Sequence, residues 1–562
     1  MVSILHVLIQ QILIVSIIGG VVAICAHFFV QGIKYFELLR ASQNYFFELF
    51  GYSIDFLTPG LLTLAFFLIY LLRKFGNMSK WETPADIIFC AQNRHISVPP
   101  KNGLLTILAS FISLAGGASL GQYGPLVHLG GTLGLLISKT KNNLNLSRDI
   151  IIGCAVAAAI AAGFSAPIAA IIFAHEAVLR HFSGRAIAMI SISSITASAV
   201  NKLLFEPSDI FQEIQIFSIG EEMVFVSLIA GAVFGLSAIF MIKSLFLINK
   251  ISSYSKKINH FVLIFGLIYL ISLSQILPEA LGLGTDVINL LFTERLSIDI
   301  LFALLVGKFT AVLVSVAIGF SGGFVGPALF IGATIGALLS SLAAYLGFYS
   351  LTVMLVVSGS AAVAGTVFGA PLALVILVLE LTNSYDLTIA TMLSIVVASL
   401  VFHLFYGHSL FDLQLLGRGI DLSKGKVFLE LESKKLADLA QKDYLAFLPD
   451  ENGKRILDKM RKLKKTEAYC ISEKGRLIGK ILIFDVISNQ KHSALELASS
   501  DCLKLFGHQS LNDAMKIARE FIGEALPVVE DKNNNLLGVV TEADIFDAYA
   551  DETESIREIE TA

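Results

Sequence analysis

The sequence predicts an all-α, multi-pass membrane domain built from two related halves with broken helices, followed by a soluble α/β domain. Three observations carry this. Of 562 residues, 55% are hydrophobic and only 15% charged, with mean hydropathy +0.76, whereas a soluble chain carries roughly a quarter charged residues. One phrase is written twice: GQYGPLVHLGGTLG at 121–134 returns as GFVGPALFIGATIG at 323–336, with Gly121/Gly323, Gly124/Gly326, Pro125/Pro327, Gly130/Gly332 and Gly134/Gly336 in one register. About forty residues after each copy a second pair follows, FSAPIAAIIFAHE at 164–176 and FGAPLALVILVLE at 368–380, each ending in a glutamate nine residues past its proline. Related halves with Gly-Pro breaks at equivalent points mark a transporter or channel whose site lies between the repeats.

The elements follow in order. The N-terminus lacks a basic leader region and its apolar run is too long for a signal peptide, so it reads as a first, uncleaved membrane helix. Long apolar stretches lie at 7–35, 57–73, 222–248, 259–277, 299–319 and 388–406. Shorter ones lie at 103–118, 125–138, 149–162, 167–180, 326–346, 350–365 and 371–382. Several fall short of the ~20 residues a spanning helix needs. Short segments strand backbone polar groups in lipid unless they meet inside the protein, so they read as tilted or broken helices. The small-residue runs 155–163 and 358–365 permit close helix approach. Basic clusters at Lys139/Lys141, Arg180/Arg185, Lys250/Lys256/Lys257 and after Arg418 suggest cytoplasmic ends; they leave open whether the halves run parallel or inverted. The membrane part is expected over 1–420. The lysine- and glutamate-rich tail over 424–562 is the size of one ordinary domain. The five cysteines lack metal or disulfide spacing, and the net charge of −4 argues against a nucleic-acid partner.

The Gly-Pro breaks have a physical use. Proline sits in a first helical turn, where its missing N–H costs nothing. Glycines leave the neighbouring amides uncovered. A helix N-terminus carries about half a positive charge and several unpaired donors. Two such termini converging near the midplane hold an anion without any Lys or Arg. A bare anion in apolar surroundings would otherwise cost on the order of tens of kcal/mol. The alternative use of these glycines, plain helix packing, is weakened by the paired repeat.

GQYGP, GGFVGP, FSAPIAAIIFAHE, GAPLALVILVLELT and SLFDLQLLGRG together resemble the motifs of the CLC family of chloride channels and chloride/proton exchangers, from about residue 10 to 420. The resemblance implies two inverted halves per subunit, a homodimer with one anion pore per subunit, and chloride as the transported ligand. It implies a multi-pass protein of a prokaryotic cell membrane, with the tail cytoplasmic, no required cofactor and no enzymatic activity. Carried over by residue, the amides of Gln122, Tyr123 and Gly124 are the outer anion contacts, and those of Phe324, Val325 and Gly326 serve the outer and central sites. KWETP at 80–84 replaces the family's GSGIP loop, which puts Trp81 where a chloride-binding serine is usual. Phe411 stands where a tyrosine hydroxyl usually contacts chloride.

Two departures bear on mechanism. The family's gating and proton-carrying glutamate is Tyr123 here. Ionising a tyrosine at pH 7 costs about 4 kcal/mol before any desolvation, so it stays neutral and shuttles no protons. After Glu176, the family's second glutamate, the inner proton relay, is Ala177. Both stations are missing. Glu176 and Glu380 are expected to cap or tether a helix end, each in its own half; His128 and His175 are expected to be satisfied packing residues. Lys308 either attracts anions from one vestibule or pairs with a carbonyl or glutamate.

In the tail, 467–487 and 524–549 repeat one another, with Gly479/Gly538 and Asp485/Asp544 offset by 59. This is similar to a tandem pair of CBS domains at about 427–488 and 494–550. That resemblance implies an adenine nucleotide held by Thr541 and Asp544, with Asp485 surviving in the first copy where Leu482 replaces the threonine; a purely structural, dimer-stabilising pair is the other reading. The expected function is passive chloride conduction without proton coupling. The alternatives are an exchanger with another relay, and a non-conducting sensor plugged by Tyr123, Trp81 and Phe411.

Overall fold

The computed structural model describes residues 2–42, 46–49, 52–94, 96–140, 146–205, 223–254, 259–348 and 351–561; Lys141, Lys256 and Lys257 lie outside them. The chain divides into two compact units, Met1–Ile420 and Asp421–Ala562.

The first unit is the duplication made solid. Its first half runs α1 (Val2–Ala41), α2 (Leu57–Gly76), α3 (Pro84–Gln92), α4 (Pro100–Ala115), α5 (Tyr123–Thr140), α6 (Arg148–Phe164), α7 (Pro167–Phe173) and α8 (Gly184–Leu204). The second runs α9 (Met223–Tyr254), α10 (Asn259–Ile276), α11 (Thr285–Thr293), α12 (Ile298–Ala317), α13 (Val325–Tyr345), α14 (Thr352–Phe368), α15 (Pro371–Thr382) and α16 (Tyr385–Phe405), closed by α17 (Leu410–Leu416). Each helix of the first half thus has a counterpart eight positions on. Packing repeats too: α1 lies on α8 as α9 lies on α16, α5 on α6 as α13 on α14, while α7 and α15 meet across the halves. Among the described residues, seven helices are long and apolar enough to cross a membrane, and shorter apolar helices, α7, α14 and α15 among them, lie between.

The short helices survive in an apolar medium because protein surrounds them. Helix α6 is buried on every side from Asp149 to Phe164, and α14 from Met354 to Phe368. Small residues make this contact possible: a Cβ built on Gly130 would lie 2.5 Å from the Ala155 carbonyl oxygen of α6, and Gly332 meets Gly359 of α14 as closely. One feature is not helical. Strands β1 (Phe46–Leu49) and β2 (Tyr52–Asp55) pair antiparallel between α1 and α2.

The second unit contains α18 (Lys426–Ser433), α19 (Leu436–Leu439), β3 (Ala446–Phe447), α20 (Gly453–Leu463), β4 (Glu467–Ile471), β5 (Leu477–Leu482), α21 (Ile483–Ser488), α22 (Ala494–Leu497), β6 (Leu505–Phe506), α23 (Leu511–Ala518), β7 (Leu526–Val529), β8 (Leu536–Val540) and α24 (Glu542–Thr561). Its two sheets share one topology, β3-β4-β5 and β6-β7-β8, each a parallel pair followed by an antiparallel pair with an irregularity at the same place. Each sheet has its own apolar core, around Phe447, Ile456 and Ile481 in one and Leu505, Val528 and Val540 in the other. The two hairpin turns pair with each other: Leu477 N–H donates to Asn534 O at 2.9 Å and Leu536 N–H to Gly475 O at 3.0 Å.

Candidate functional site

The two duplicated Gly-x-x-Gly-Pro turns are bonded to each other. Gly121 N–H donates to Gly323 O and Gly323 N–H to Gly121 O, both at 2.7 Å, an isolated antiparallel bridge between equivalent residues. Only glycine permits it. A Cβ on Gly323 would lie 2.6 Å from the Gly124 nitrogen, and one on Gly121 would lie 2.7 Å from the Gly326 nitrogen. Helices α5 and α13 therefore start side by side, each with its proline in the first turn. No side chain caps α13 at Phe324.

Tyr123 stands at this junction. It is 3% exposed, and its ring stacks on Phe164 at the end of α6, with centroids 3.6 Å apart and planes 21° from parallel. Neither its hydroxyl nor Gln122 Oε1 makes a hydrogen bond of acceptable geometry among the described residues. A cavity opens beside them, lined by Gln122, Tyr123, Gly326, Leu283, Thr285 and Ile288. So three of the six expected backbone positions, Gln122, Tyr123 and Gly326, share one cavity. Gly124, Phe324 and Val325 sit in the same pair of turns but outside its lining.

Trp81 and Phe411 are not brought to this cavity. Trp81 precedes the Thr83 cap of α3, and its indole N–H donates to Gly319 O at 3.0 Å, just upstream of the second Gly-Pro turn. That donor is thereby committed to the protein. Thr83 and Asp86 form a capping box, and Arg418 closes on the Asp86 carboxylate. Phe411 is buried on α17, its ring 5.3 Å from that of Phe368 at the end of α14.

Ala177 is buried inside a π-helical turn, Ala174–Leu179, that continues α7. The preceding residue makes the contact that corrects the sequence reading. Glu176 does cap a helix, but in the other half: it accepts from Leu372 N–H at 3.1 Å and Ala373 N–H at 2.9 Å, at the start of α15. Glu380 returns the contact, accepting from Ile168 N–H at 2.9 Å and Ala169 N–H at 2.7 Å on α7. Inversion places each glutamate at its counterpart's helix start. His175 is only half satisfied: Nδ1 is bonded to His181 O at 2.8 Å and the ring stacks on Phe182, but its buried Nε2 makes no hydrogen bond of acceptable geometry among the described residues. His128 is 1% exposed and its ring lies against the Gly103 and Thr83 backbones, though neither ring nitrogen makes a hydrogen bond of acceptable geometry among the described residues.

Lys308 resolves toward a carbonyl. Its ammonium donates to Gly282 O at 2.8 Å and lies 5.0 Å from the Phe330 ring centroid. The Leu283–Thr285 wall of the cavity was not found from the sequence, although a signal exists. Gly282–Asp286 follows Lys80–Pro84 by 202 residues, the same offset as Gly121 to Gly323, with Thr285 matching Thr83.

In the second unit, Thr541 and Asp544 are neighbours at the start of α24. Thr541 donates to Asp544 Oδ2 from its backbone N–H at 2.8 Å and from its hydroxyl at 2.7 Å, and Gln441 Nε2 donates to Oδ1 at 2.5 Å. Both carboxylate oxygens thus already accept bonds from within the unit. Asp485 is exposed on α21, whose cap position, Leu482, provides no side-chain bond.

Known proteins match this architecture. The model for the voltage gated chloride channel family matches residues 64–403, and that for the CBS domain matches residues 494–551. The H(+)/Cl(−) exchange transporter ClcA of Vibrio campbellii is 27% identical over 329 residues, covering 56% of this chain and 68% of the relative. The putative chloride channel protein ClcB-like of Ralstonia nicotianae is 25% identical over 309 residues, covering 54% and 72%. In fold, the chain is similar to a slow cyanobacterial Cl−/H+ antiporter, with TM-score 0.61 and 17% identity over 73% of this chain and 98% of the other. A eukaryotic CLC transporter also gives TM-score 0.61, at 16% identity, over 96% of this chain and 98% of the other. Helix inventory, paired Gly-Pro turns and family match agree: the chain belongs to the voltage gated chloride channel (CLC) family of membrane anion transporters, and it carries a CBS domain in its C-terminal unit.

Proposed function

We propose that the chain conducts small anions, chiefly chloride, passively and without proton coupling. One observation carries the reading: the residue at the junction of the two bonded Gly-Pro turns is Tyr123, a neutral ring held against Phe164, where a proton-carrying carboxylate would be required. The buried Ala177 supports it from the other station. The amides of Gln122, Tyr123, Gly124, Phe324, Val325 and Gly326 bind the anion in this reading, with the dipoles of α5 and α13 behind them. Trp81 and Phe411, outside that cavity, offer the anion no donor in this reading: the Trp81 N–H is spent on Gly319 and the Phe411 ring packs on Phe368.

The protein works as a homodimer in a prokaryotic inner membrane, with residues 1–420 as the transport domain. Residues 424–562 form a cytoplasmic CBS pair, spanning about 427–488 and 494–550. Thr541 and Asp544, with Asp485 in the first copy, hold an adenine nucleotide only by exchanging the internal bonds of Asp544 for bonds to the ligand. That exchange favours a structural, dimer-stabilising role for the pair.

A second reading rests on the relatives, several of which are named H(+)/Cl(−) exchange transporters: proton-coupled exchange through another relay. Chloride-loaded liposomes, with chloride efflux and proton movement recorded together, decide between them. Chloride flux without protons supports the passive pathway, and stoichiometric proton uptake sinks it. Absent flux that Tyr123→Ala restores identifies a plugged relative instead.

A further inference from the structure

The two halves place different residues at equivalent helix starts. Trp81-Glu82-Thr83, leading into α3, corresponds to Leu283-Gly284-Thr285, leading into α11, at the offset of 202 that relates Gly121 to Gly323. Each start meets one Gly-Pro turn: a Cβ on Gly124 would lie 3.7 Å from Pro84 Cγ, and one on Gly326 would lie 3.8 Å from Leu283 O. At α11 the middle residue is Gly284, in the left-handed conformation (φ 78°), which has no side chain to ionise. At α3 the same place carries a carboxyl, Glu82, and a second acid, Asp86, stands one turn on where α11 has Ile288.

The two carboxyls of α3 are held differently. Asp86 Oδ2 accepts from Thr83 N–H at 2.6 Å and from the Thr83 hydroxyl at 3.0 Å, and Arg418 closes on Oδ1. Those donors favour an ionised Asp86. Glu82 has weaker company. Asn102 Nδ2 donates to its Oε1 at 3.4 Å, and its carboxyl is in side-chain hydrogen-bond contact with Asp86. Two carboxyls in such contact hold one proton between them, because like charges that close resist ionising together. With Asp86 ionised, the proton belongs to Glu82. Burial, and next the Asp86 charge, push the Glu82 carboxyl above its ordinary 4.5, against the Asn102 bond and the Arg418 charge.

The neighbouring elements add neutral and cationic groups. From α4, Thr106 Oγ1 accepts the Glu82 N–H at 3.2 Å, and Lys101 is exposed, as is Lys80 in the turn. From α2, Arg73 stands over the Trp81 ring, 6.0 Å from its centroid. Cys90 is buried one turn beyond Asp86, and His128 of α5 lies against the Thr83 backbone. Glu82 itself is half-buried, so protons reach it from water.

We propose that Glu82 is a proton-binding site at the α3 end of the anion turns, sharing its proton with Asp86, and that its ionisation opposes anion passage at that end. Ionised, Glu82 adds a second negative charge beside Asp86 and repels an anion approaching the first Gly-Pro turn. Protonated, it lifts that repulsion. The proton stays local, because Tyr123 carries none onward, so the site gives sensitivity to pH without coupling. The barrier rests on the conduction reading above; the proton site does not.

Two measurements on the full-length protein test this. In chloride-loaded liposomes with equal pH inside and out, wild-type flux rises about threefold or more from about pH 8 to about pH 5. Glu82→Gln is fast throughout and loses most of the rise, while Glu82→Asp keeps a rise. A rise that Glu82→Gln leaves unchanged, or wild-type flux indifferent to pH, overturns the barrier. Infrared difference spectra of wild type against Glu82→Gln read the proton directly: a protonated-carboxyl band persists above about pH 5 in the wild type and is missing from the variant. No such band overturns the proton site. The band in a protein that carries no flux keeps the proton site and removes the conduction reading; flux without the band does the reverse.

Discussion

Glu176 and Glu380 each hold the helix that carries or continues into the other. The Glu176 carboxylate takes two amides at the start of α15, on which Glu380 lies, and Glu380 takes two at the start of α7, which runs into Glu176. Glu176→Ala or Glu380→Ala strands two helix-terminal donors and is expected to cost about 2–4 kcal/mol. The double substitution should cost less than the sum, with a coupling of at least about 0.5 kcal/mol, because both pairs secure one contact. Unfolding equilibria of the purified protein measure this. Full additivity would show the two caps to be independent.

The bonded glycines should tolerate nothing larger. A Cβ on Gly323 would fall 2.6 Å from the Gly124 nitrogen, a backbone atom that cannot move aside cheaply. Gly323→Ala is expected to lower anion flux at least about tenfold and to lower the melting temperature, through overpacking of about 1–3 kcal/mol. Gly60→Ala is the control, since its added Cβ meets nothing within 4 Å.

Tyr123 should behave as a movable ring and not as an acid. Phe164→Ala removes the surface it stacks on, worth about 0.5–1.5 kcal/mol, and is expected to increase chloride flux several-fold without bringing protons along. Tyr123→Glu is expected to add no coupling, because Ala177 still lacks the inner carboxylate. Robust proton movement in that variant would refute the need for two stations.

The C-terminal unit has its own pH limit. Burial pushes the Asp513 carboxyl up, but bonds from Ser510 and the Lys516 charge outweigh it and leave the group below its ordinary 3.8. The Ser493 backbone and hydroxyl hold Glu496 below its ordinary 4.5. A folded-state value below the unfolded one contributes stability that is present above the unfolded value and is lost as pH falls through the folded one. Amide exchange, corrected for intrinsic rates, should quicken below about pH 4.5 across α22 and below about pH 3.8 across α23. Asp513→Asn should remove most of that dependence in α23.

What was legible followed the backbone. Gly121/Gly323 and Gly124/Gly326 stay in register because two chains passing that closely admit only glycine, so the constraint is written into residue type. The FSAP and FGAP helix starts were readable because Pro167 and Pro371 stand at the first helical position, where proline is favoured. The partner of each glutamate was not, since duplication gives equivalent residues but no sign of which half supplies the donors. The α11 wall was missed because Asp286 replaces the proline that marks α3 at Pro84, leaving only the offset of 202 and a matching threonine. Trp81 was placed in an anion's path by motif position, whereas its contact with Gly319 depends on chain segments 238 residues apart.

The bridge between Gly121 and Gly323 limits how this molecule can move. Two hydrogen bonds of 2.7 Å join the halves where their helix starts converge, and rocking one half against the other would break both in a medium with no water to replace them. The halves are tied together at the point where a rocking carrier would have to part. On the conduction reading proposed above, opening would fall to a side chain at that point, and Tyr123 is the ring that stands there.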